Sequence, residues 1–290
     1  MYVISGVTGH TGSVAAEALL SQGKKVRVIV RDEAKGAPWR ARGAEVAVAN
    51  YEDSAGLSAA FRDADGVYAL VPPGGWSNPD EADVRQRVRT AILTAVGAAR
   101  PKHVVALSSI GAQHAEGTGP IKALHPLEEG LRSLGVPSSL VRASFFMENW
   151  AAMVQGALAS GQLYYPLAVD WRFPQVATRD IGATVASLLL DPPSSGARVI
   201  ELSGPEDYST ADVAAAISRA GNKPVTAVEV PVSAMVEGFV KMGASHNLAS
   251  LYGEMVEGMR SGRVAYEGGS AKRVRGTTPL DAVIGPIAKG

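Results

Sequence analysis

The chain contains no cysteine, which removes disulfides, thiolate nucleophiles, iron–sulfur clusters and cysteine-bound zinc. Histidine is scarce. His10, His103, His114, His125 and His246 show no His-x-x-x-His spacing that would set two ligands on one helical face, so no metal site is expected. Charge of one sign is missing as well. Twenty-eight basic residues balance 28 acidic ones, so no overall field draws the protein to nucleic acid or to an anionic membrane. No apolar run approaches the roughly 18–20 residues of a membrane span, and the first residues read as a strand rather than as a signal segment. A cytoplasmic protein is expected. What is present is ordinary for a globular chain: 46% hydrophobic residues, 19% charged and 32 glycines in 290 residues. At roughly 100–200 residues per domain, that length suits one large domain or one domain with a substantial appendage.

Short apolar runs of strand length alternate with stretches of helical period, the pattern of an α/β protein. Strands are expected at residues 2–5, 25–30, 45–48, 66–71, 103–108, 138–142 and 198–202, and helices at 12–22, 54–62, 83–100, 126–134, 147–158, 180–190 and 209–220. Within 12–22, Val14, Ala15, Ala18 and Leu19 recur every three to four residues. Residues 103–108 are nearly all apolar, as in a strand covered on both faces. Asp180 is the expected N-cap of one helix, and Ser209 or Thr210 that of another. Beyond about residue 150 the pattern loosens. The expected architecture is a Rossmann-type doubly wound parallel sheet with a smaller, discontinuous C-terminal lobe. Residues 1–150 would form the nucleotide-binding domain and 151–290 mainly the lobe, with segments near 174–205 returning to the sheet. Such a sheet binds its ligand outside the carboxyl ends of the strands, where the strand order reverses.

Gly6-Val7-Thr8-Gly9-His10-Thr11-Gly12 directly follows the first strand and opens the first helix. A phosphate-binding turn belongs at that place. It needs a residue free to take positive φ, a backbone that a diphosphate can approach without meeting a Cβ, and close packing of helix on strand; glycine meets each need. The helix amides and dipole then hold the anion. At the end of the second strand, where a carboxylate for the adenosine ribose is usual, the chain has Arg31, followed by Asp32 and Lys35. A planar guanidinium favours the 2′-phosphate of NADP(H). In the alternative, Arg31 and Lys35 are solvated and Asp32 binds the ribose.

Gly-x-x-Gly-x-x-Gly resembles the extended and atypical branches of the short-chain dehydrogenase/reductase superfamily. Further stretches resemble the NmrA-like family in order along almost the whole chain. They are Arg31-Asp32-x-x-Lys35, Leu70-Val71-Pro72-Pro73, Ser108-Ser109, Val141-Arg142-x-x-x-Phe146-Met147-Glu148-Asn149, Ala177-Thr178-Arg179-Asp180-Ile181-Gly182 and Arg275-Gly276-Thr277-Thr278-Pro279-Leu280. By that resemblance Gly6, Thr8, Gly9, His10, Thr11 and Gly12 wrap the diphosphate, and Arg31 and Lys35 hold the 2′-phosphate. Asn50 and Tyr51 flank the adenine, Leu70, Val71 and Pro72 line the path of the adenosine ribose and diphosphate, and Ser108, Ser109 and Phe145 lie nearer the nicotinamide. The family divides between NAD(P)H-dependent reductases of quinones, dyes or activated double bonds and nucleotide-binding redox sensors. Both activities are carried as expectations, the reductase first. The partner of a reductase is a small-molecule hydride acceptor, with no direct nucleic-acid or membrane contact and homodimer formation left open.

Typical short-chain reductases place a Tyr-x-x-x-Lys pair after the fifth strand, the tyrosine as proton donor. No tyrosine falls between residues 109 and 140 here, which counts against tyrosine-dependent alcohol chemistry and against an epimerase. The same region offers Lys122 and His125. His125 could supply a proton near neutrality, or simply cap the helix at Pro126; Lys122 could stand in for the ribose-binding lysine. Hydride transfer to a quinone asks for little more. Trp150, Trp171, Phe239 and Met242, with Phe173, are candidates to line a flat acceptor pocket, or to form the core of the lobe. Trp39-Arg40-Ala41-Arg42 and Lys272-Arg273-Val274-Arg275 are expected to be solvated basic surface.

Overall fold

In the computed structural model, which describes residues 1–289, the first half alternates strand and helix: β1 (Tyr2–Ile4), α1 (His10–Ser21), β2 (Val26–Val30), α2 (Glu33–Ala41), β3 (Glu45–Val48), α3 (Ser54–Phe61), β4 (Gly66–Ala69), α4 (Glu81–Ala99), β5 (Val104–Ser109), α5 (His125–Leu134) and β6 (Ser138–Ala143). The second half continues with β7 (Phe145–Phe146), α6 (Ala151–Ser160), β8 (Gln162–Tyr165), β9 (Phe173–Val176), α7 (Thr178–Leu190), β10 (Ala197–Ser203) and β11 (Asp207–Tyr208). It ends with α8 (Thr210–Gly221), β12 (Thr226–Glu229), α9 (Val232–Lys241), α10 (His246–Arg260), β13 (Lys272–Arg275) and α11 (Leu280–Lys289). Eight strands form one parallel sheet in the order β3-β2-β1-β4-β5-β6-β10-β13. The order reverses between β1 and β4, and the crevice of a doubly wound sheet opens at that point. Among the described residues no helix is long and apolar enough to cross a membrane.

Alternation along the strands feeds a core on each face. Val67 and Ala69 point with Leu57 and Phe61 of α3, Ile92 of α4 and Leu131 of α5. Tyr68, between them, points with Leu19 of α1 and Val185 of α7. Each fully buried Leu or Phe contributes about 1.5–3 kcal/mol relative to exposure. A third core, with Trp150, Tyr165, Phe173, Ile217, Val256 and Ile284, holds the lobe together.

Two stretches differ from the sequence expectation. Residues 33–41 form α2, which Gly36 and Pro38 conceal in a periodicity reading. Asp32 caps it by accepting the Ala34 N–H at 2.9 Å. Gly36 is needed because a Cβ there would lie 2.4 Å from Val46 Cγ1 on β3. Trp39 is buried rather than solvated, with the Arg42 guanidinium 5.2 Å over its ring. Residues 272–275 form the edge strand β13, an element the periodicity does not show, while Lys272, Arg273 and Arg275 stay exposed as expected. Its basic side chains discourage edge-to-edge pairing with another chain.

The α7 N-terminus also corrects a reading. Asp180 lies inside the first turn, and the cap position is Ala177. The Glu148 carboxylate, 30 residues upstream, accepts the Thr178 N–H at 2.9 and 3.0 Å and the Thr178 hydroxyl at 2.6 Å. Asp180 instead accepts the Thr278 N–H (2.9 Å) and hydroxyl (2.8 Å), fastening the approach to α11. Gly182 lets α7 press on α1, since a Cβ there would stand 2.6 Å from the Thr11 carbonyl oxygen. Ser209 caps α8 as expected, in a reciprocal box with Asp212.

Candidate functional site

The turn from β1 into α1 is built by its glycines. Gly6 has φ +70°, and a Cβ on it would lie 2.7 Å from Leu70 Cδ2. A Cβ on Gly12 would lie 2.4 Å from the Gly6 carbonyl oxygen and 2.5 Å from that of Ser5. Only hydrogen fits there. The Gly9 N–H donates to the Gly6 carbonyl at 2.9 Å, closing the turn. Gly9 is the N-cap of α1; no side chain caps the helix and no acidic residue occupies its first turn. The positive end of α1 thus faces the crevice without a carboxylate to neutralise it, as binding of a diphosphate requires.

Two tyrosine hydroxyls pin this turn. The Gly6 N–H donates to the Tyr51 hydroxyl at 2.6 Å, and the Tyr68 hydroxyl lies 2.9 Å from Thr11 Oγ1. Burial pushes both phenols up; at Tyr51 the Gly6 N–H and the nearby Arg31 partly offset it. The Thr11 hydroxyl therefore faces the core and leaves only its amide for an anion, while Thr8, Gly9 and His10 are exposed on the turn. Arg31 and Lys35 are exposed after β2 and form no salt bridge among the described residues, whereas Asp32 is engaged as the α2 cap. Asn50 turns its amide oxygen to the Glu52 N–H at 3.2 Å. Leu70, Val71 and Pro72, all half-buried, lead out of β4 beside the glycine turn.

At the far end of the crevice the expected residues separate. The Ser108 side chain points away into a buried network: it donates to Glu128 at 2.5 Å, and Glu128 receives Arg142 through two hydrogen bonds of 2.9 and 2.6 Å. Arg142 reaches on to Glu267 at 2.6 Å. Ser109, half-buried, bonds the Ile110 carbonyl at 3.0 Å. Phe145 stands half-buried on β7, just past β6, its ring 5.4 Å from Trp150 and 5.6 Å from Phe173. His125 Nδ1 lies 2.9 Å from the Ala112 carbonyl oxygen. A carbonyl only accepts, so Nδ1 carries the hydrogen and Nε2 of the neutral ring is an acceptor. Lys122 is drawn to the lobe, 3.4 Å from Glu254 on α10.

The aromatic residues proposed for the acceptor pocket also divide. Trp150 is fully buried lobe core, its indole N–H donating to Gln175 at 2.8 Å, and so presents no face to a crevice. Trp171 is exposed beside Phe173, at 6.2 Å. Phe239, near the end of α9, meets Trp76 at 5.2 Å and Tyr252 at 5.5 Å, and Met242 is exposed just beyond α9. Trp76 and Tyr252 escaped the sequence reading. The available signal was a tryptophan in the Gly- and Pro-rich stretch after β4, where burial is not the usual role of a loop.

A model of the NmrA-like family matches residues 2–262. The NAD(P)H azoreductase of Xenophilus azovorans is 29% identical over 258 residues, covering 88% of this chain and 86% of that one. Quinone oxidoreductase 2 of Escherichia coli is 25% identical over 267 residues, covering 90% and 89%. Among solved structures, Citrobacter sp. triphenylmethane reductase complexed with NADP(H) superposes with a TM-score of 0.82 at 17% identity, over 99% of this chain and 100% of that one.

Proposed function

The chain belongs to the NmrA-like family, and from that premise we propose that it is an NADPH-dependent reductase of quinones, dyes or comparable electron-poor acceptors, working in the cytoplasm. The observation that carries the reading is the uncapped, acid-free N-terminus of α1 behind a turn in which only glycine fits at positions 6 and 12. The activities named for the two sequence relatives, azo dye and quinone reduction, agree with it. In this reading residues 1–150 carry the nucleotide, and the lobe built mainly from 151–290 supplies the acceptor side.

NADPH, when bound, supplies a hydride, that is, one proton and two electrons. The rest falls to the chain. Amides of His10, Thr11 and Gly12 hold the diphosphate; Arg31 and Lys35 take the 2′-phosphate; Tyr51 closes the adenosine end. Leu70, Val71 and Pro72 line the path inward, toward Ser109 and Phe145. Ser108 acts behind the wall by orienting Glu128. A quinone reduced by hydride becomes a hydroquinone anion that needs one further proton. His125 has its Nδ1–H committed to the Ala112 carbonyl, and the donor in this reading is solvent.

The test is incubation of the purified protein with NADPH and a panel of quinones, azo dyes and enones while the absorbance of the reduced nicotinamide is followed. Loss of absorbance that depends on the acceptor is expected. Tight NADP binding with no oxidation of NADPH by any acceptor would establish the redox-sensor reading instead. His125→Asn should lower kcat by less than about threefold; a loss above the 10²-fold typical of a positioned acid would make His125 the donor.

A further inference from the structure

The chain leaving each of the two strands that flank β5 carries an aromatic side chain, Trp76 after β4 and Phe145 after β6. The connection leaving β4 carries Trp76, whose ring meets Phe239 edge-on at 5.2 Å and Tyr252 at 6.1 Å. Its backbone is held too, the Trp76 carbonyl accepting the Ser245 N–H at 3.0 Å. Phe239 and Tyr252 stand perpendicular at 5.5 Å. On the other side Phe145, on β7 just past β6, lies 6.4 Å from Tyr165. Tyr252 lies on α10, which also packs against the segment after β5: a Cβ on Gly119 would lie 2.1 Å from the Leu251 carbonyl oxygen. β5 lies between β4 and β6 in the sheet, and the chain leaving it past half-buried Ser109 runs to the same helix that carries Tyr252 beside Trp76.

Trp76 differs from the tryptophans that only fill space. Trp39 and Trp150 are 7% and 0% exposed; Trp76 is 39% exposed although two rings and a backbone hydrogen bond hold it. Exposed Val240 and Met242 follow Phe239 directly at the end of α9. An indole held in place yet open on one side costs hydration unless something flat covers it, and a π-face is best covered by another ring in offset or edge contact. The occupant that fits is a planar aromatic molecule entering over β5.

Resting on the reductase reading above, we propose that Trp76 selects the acceptor: its open face forms one wall of the acceptor pocket, so that two fused rings are favoured over one. The ratio of kcat/KM for 1,4-naphthoquinone to that for a methyl-substituted 1,4-benzoquinone should fall about tenfold in Trp76→Ala, roughly the 1.4 kcal/mol of one ring contact. In Trp76→Phe it should recover to within threefold. The Kd for NADPH, by calorimetry, should stay within twofold in both variants. An unchanged ratio in Trp76→Ala would overturn the proposal, as would a loss of NADPH affinity in step with the activity. A second measurement separates this from the reductase reading: titration of 1,4-naphthoquinone onto the protein loaded with NADP⁺. Binding that Trp76→Ala weakens about tenfold supports the wall even if no acceptor is turned over; no binding to the unsubstituted protein removes the wall.

Discussion

At Gly12 a single methyl group would have to occupy space already filled by two carbonyl oxygens of β1 and the turn. Gly12→Ala should therefore push α1 off the sheet, destabilise the fold by about 1–3 kcal/mol and abolish measurable NADPH binding in calorimetry. Arg31→Glu tests the other end of the nucleotide. A carboxylate there repels the 2′-phosphate, so NADPH should weaken by about 10- to 100-fold and NADH by less than about threefold; equal losses would place the phosphate elsewhere. Glycine and arginine were legible in the sequence because their value is local: a φ angle, a missing Cβ, a charge at a strand end. The hydroxyls of Tyr51 and Tyr68 were not. Their partners, Gly6 and Thr11, lie 45 and 57 residues away, and no periodicity reports such a pairing. Ser108 was misplaced for the same reason, since its neighbour Glu128 comes from a different element.

The stretches that made the chain resemble a family prove, at the level of elements, to be fasteners. Glu148 caps α7, Asp180 receives the backbone before α11, and Gly182 seats α7 against α1. Because α7 presses directly behind the opening turn of α1, these contacts also hold the anion-binding end of α1 in place. Glu148→Gln keeps the shape of the side chain but removes the carboxylate from the helix terminus, and should cost about 0.5–2 kcal/mol in a urea titration. The strands and most helices could be read from apolar alternation. α2 could not, because Gly36 answers to Val46 on β3 and Pro38 stands inside the helix against ordinary propensity. The acid at Asp180 imitated a cap, and only the fold shows the true one arriving from Glu148.

Across the whole sheet, register sets Ser108 beside Arg142, Arg142 beside Glu201 and Glu201 beside Arg273. Glu128 and Glu267 complete this polar row from α5 and from the segment before β13. Glu128→Ala would remove the buried one of the two carboxylates that hold the Arg142 guanidinium, itself only 2% exposed, leaving it Glu267, and should destabilise the protein by about 3 kcal/mol. Acid should act through His103, which is fully buried. Desolvation, and then the Arg198 charge, holds it down to about 4, against roughly 6.5 in the unfolded chain. Between those values the unfolded chain binds a proton that the folded one refuses. Stability is thus complete above pH 6.5 and declines as the pH falls toward 4, by about 3 kcal/mol if the whole window is crossed. Urea midpoints measured down that range should fall less steeply in His103→Gln.

The chain passes from sheet to lobe after β6, returns for α7 and β10, leaves again for β11 through α10, and comes back for β13 before α11. A clamshell opens on one hinge; a body stitched through so many seams cannot swing its halves apart without unpicking several at once. Traffic in and out of the crevice is then expected at the rim, with the interior kept assembled.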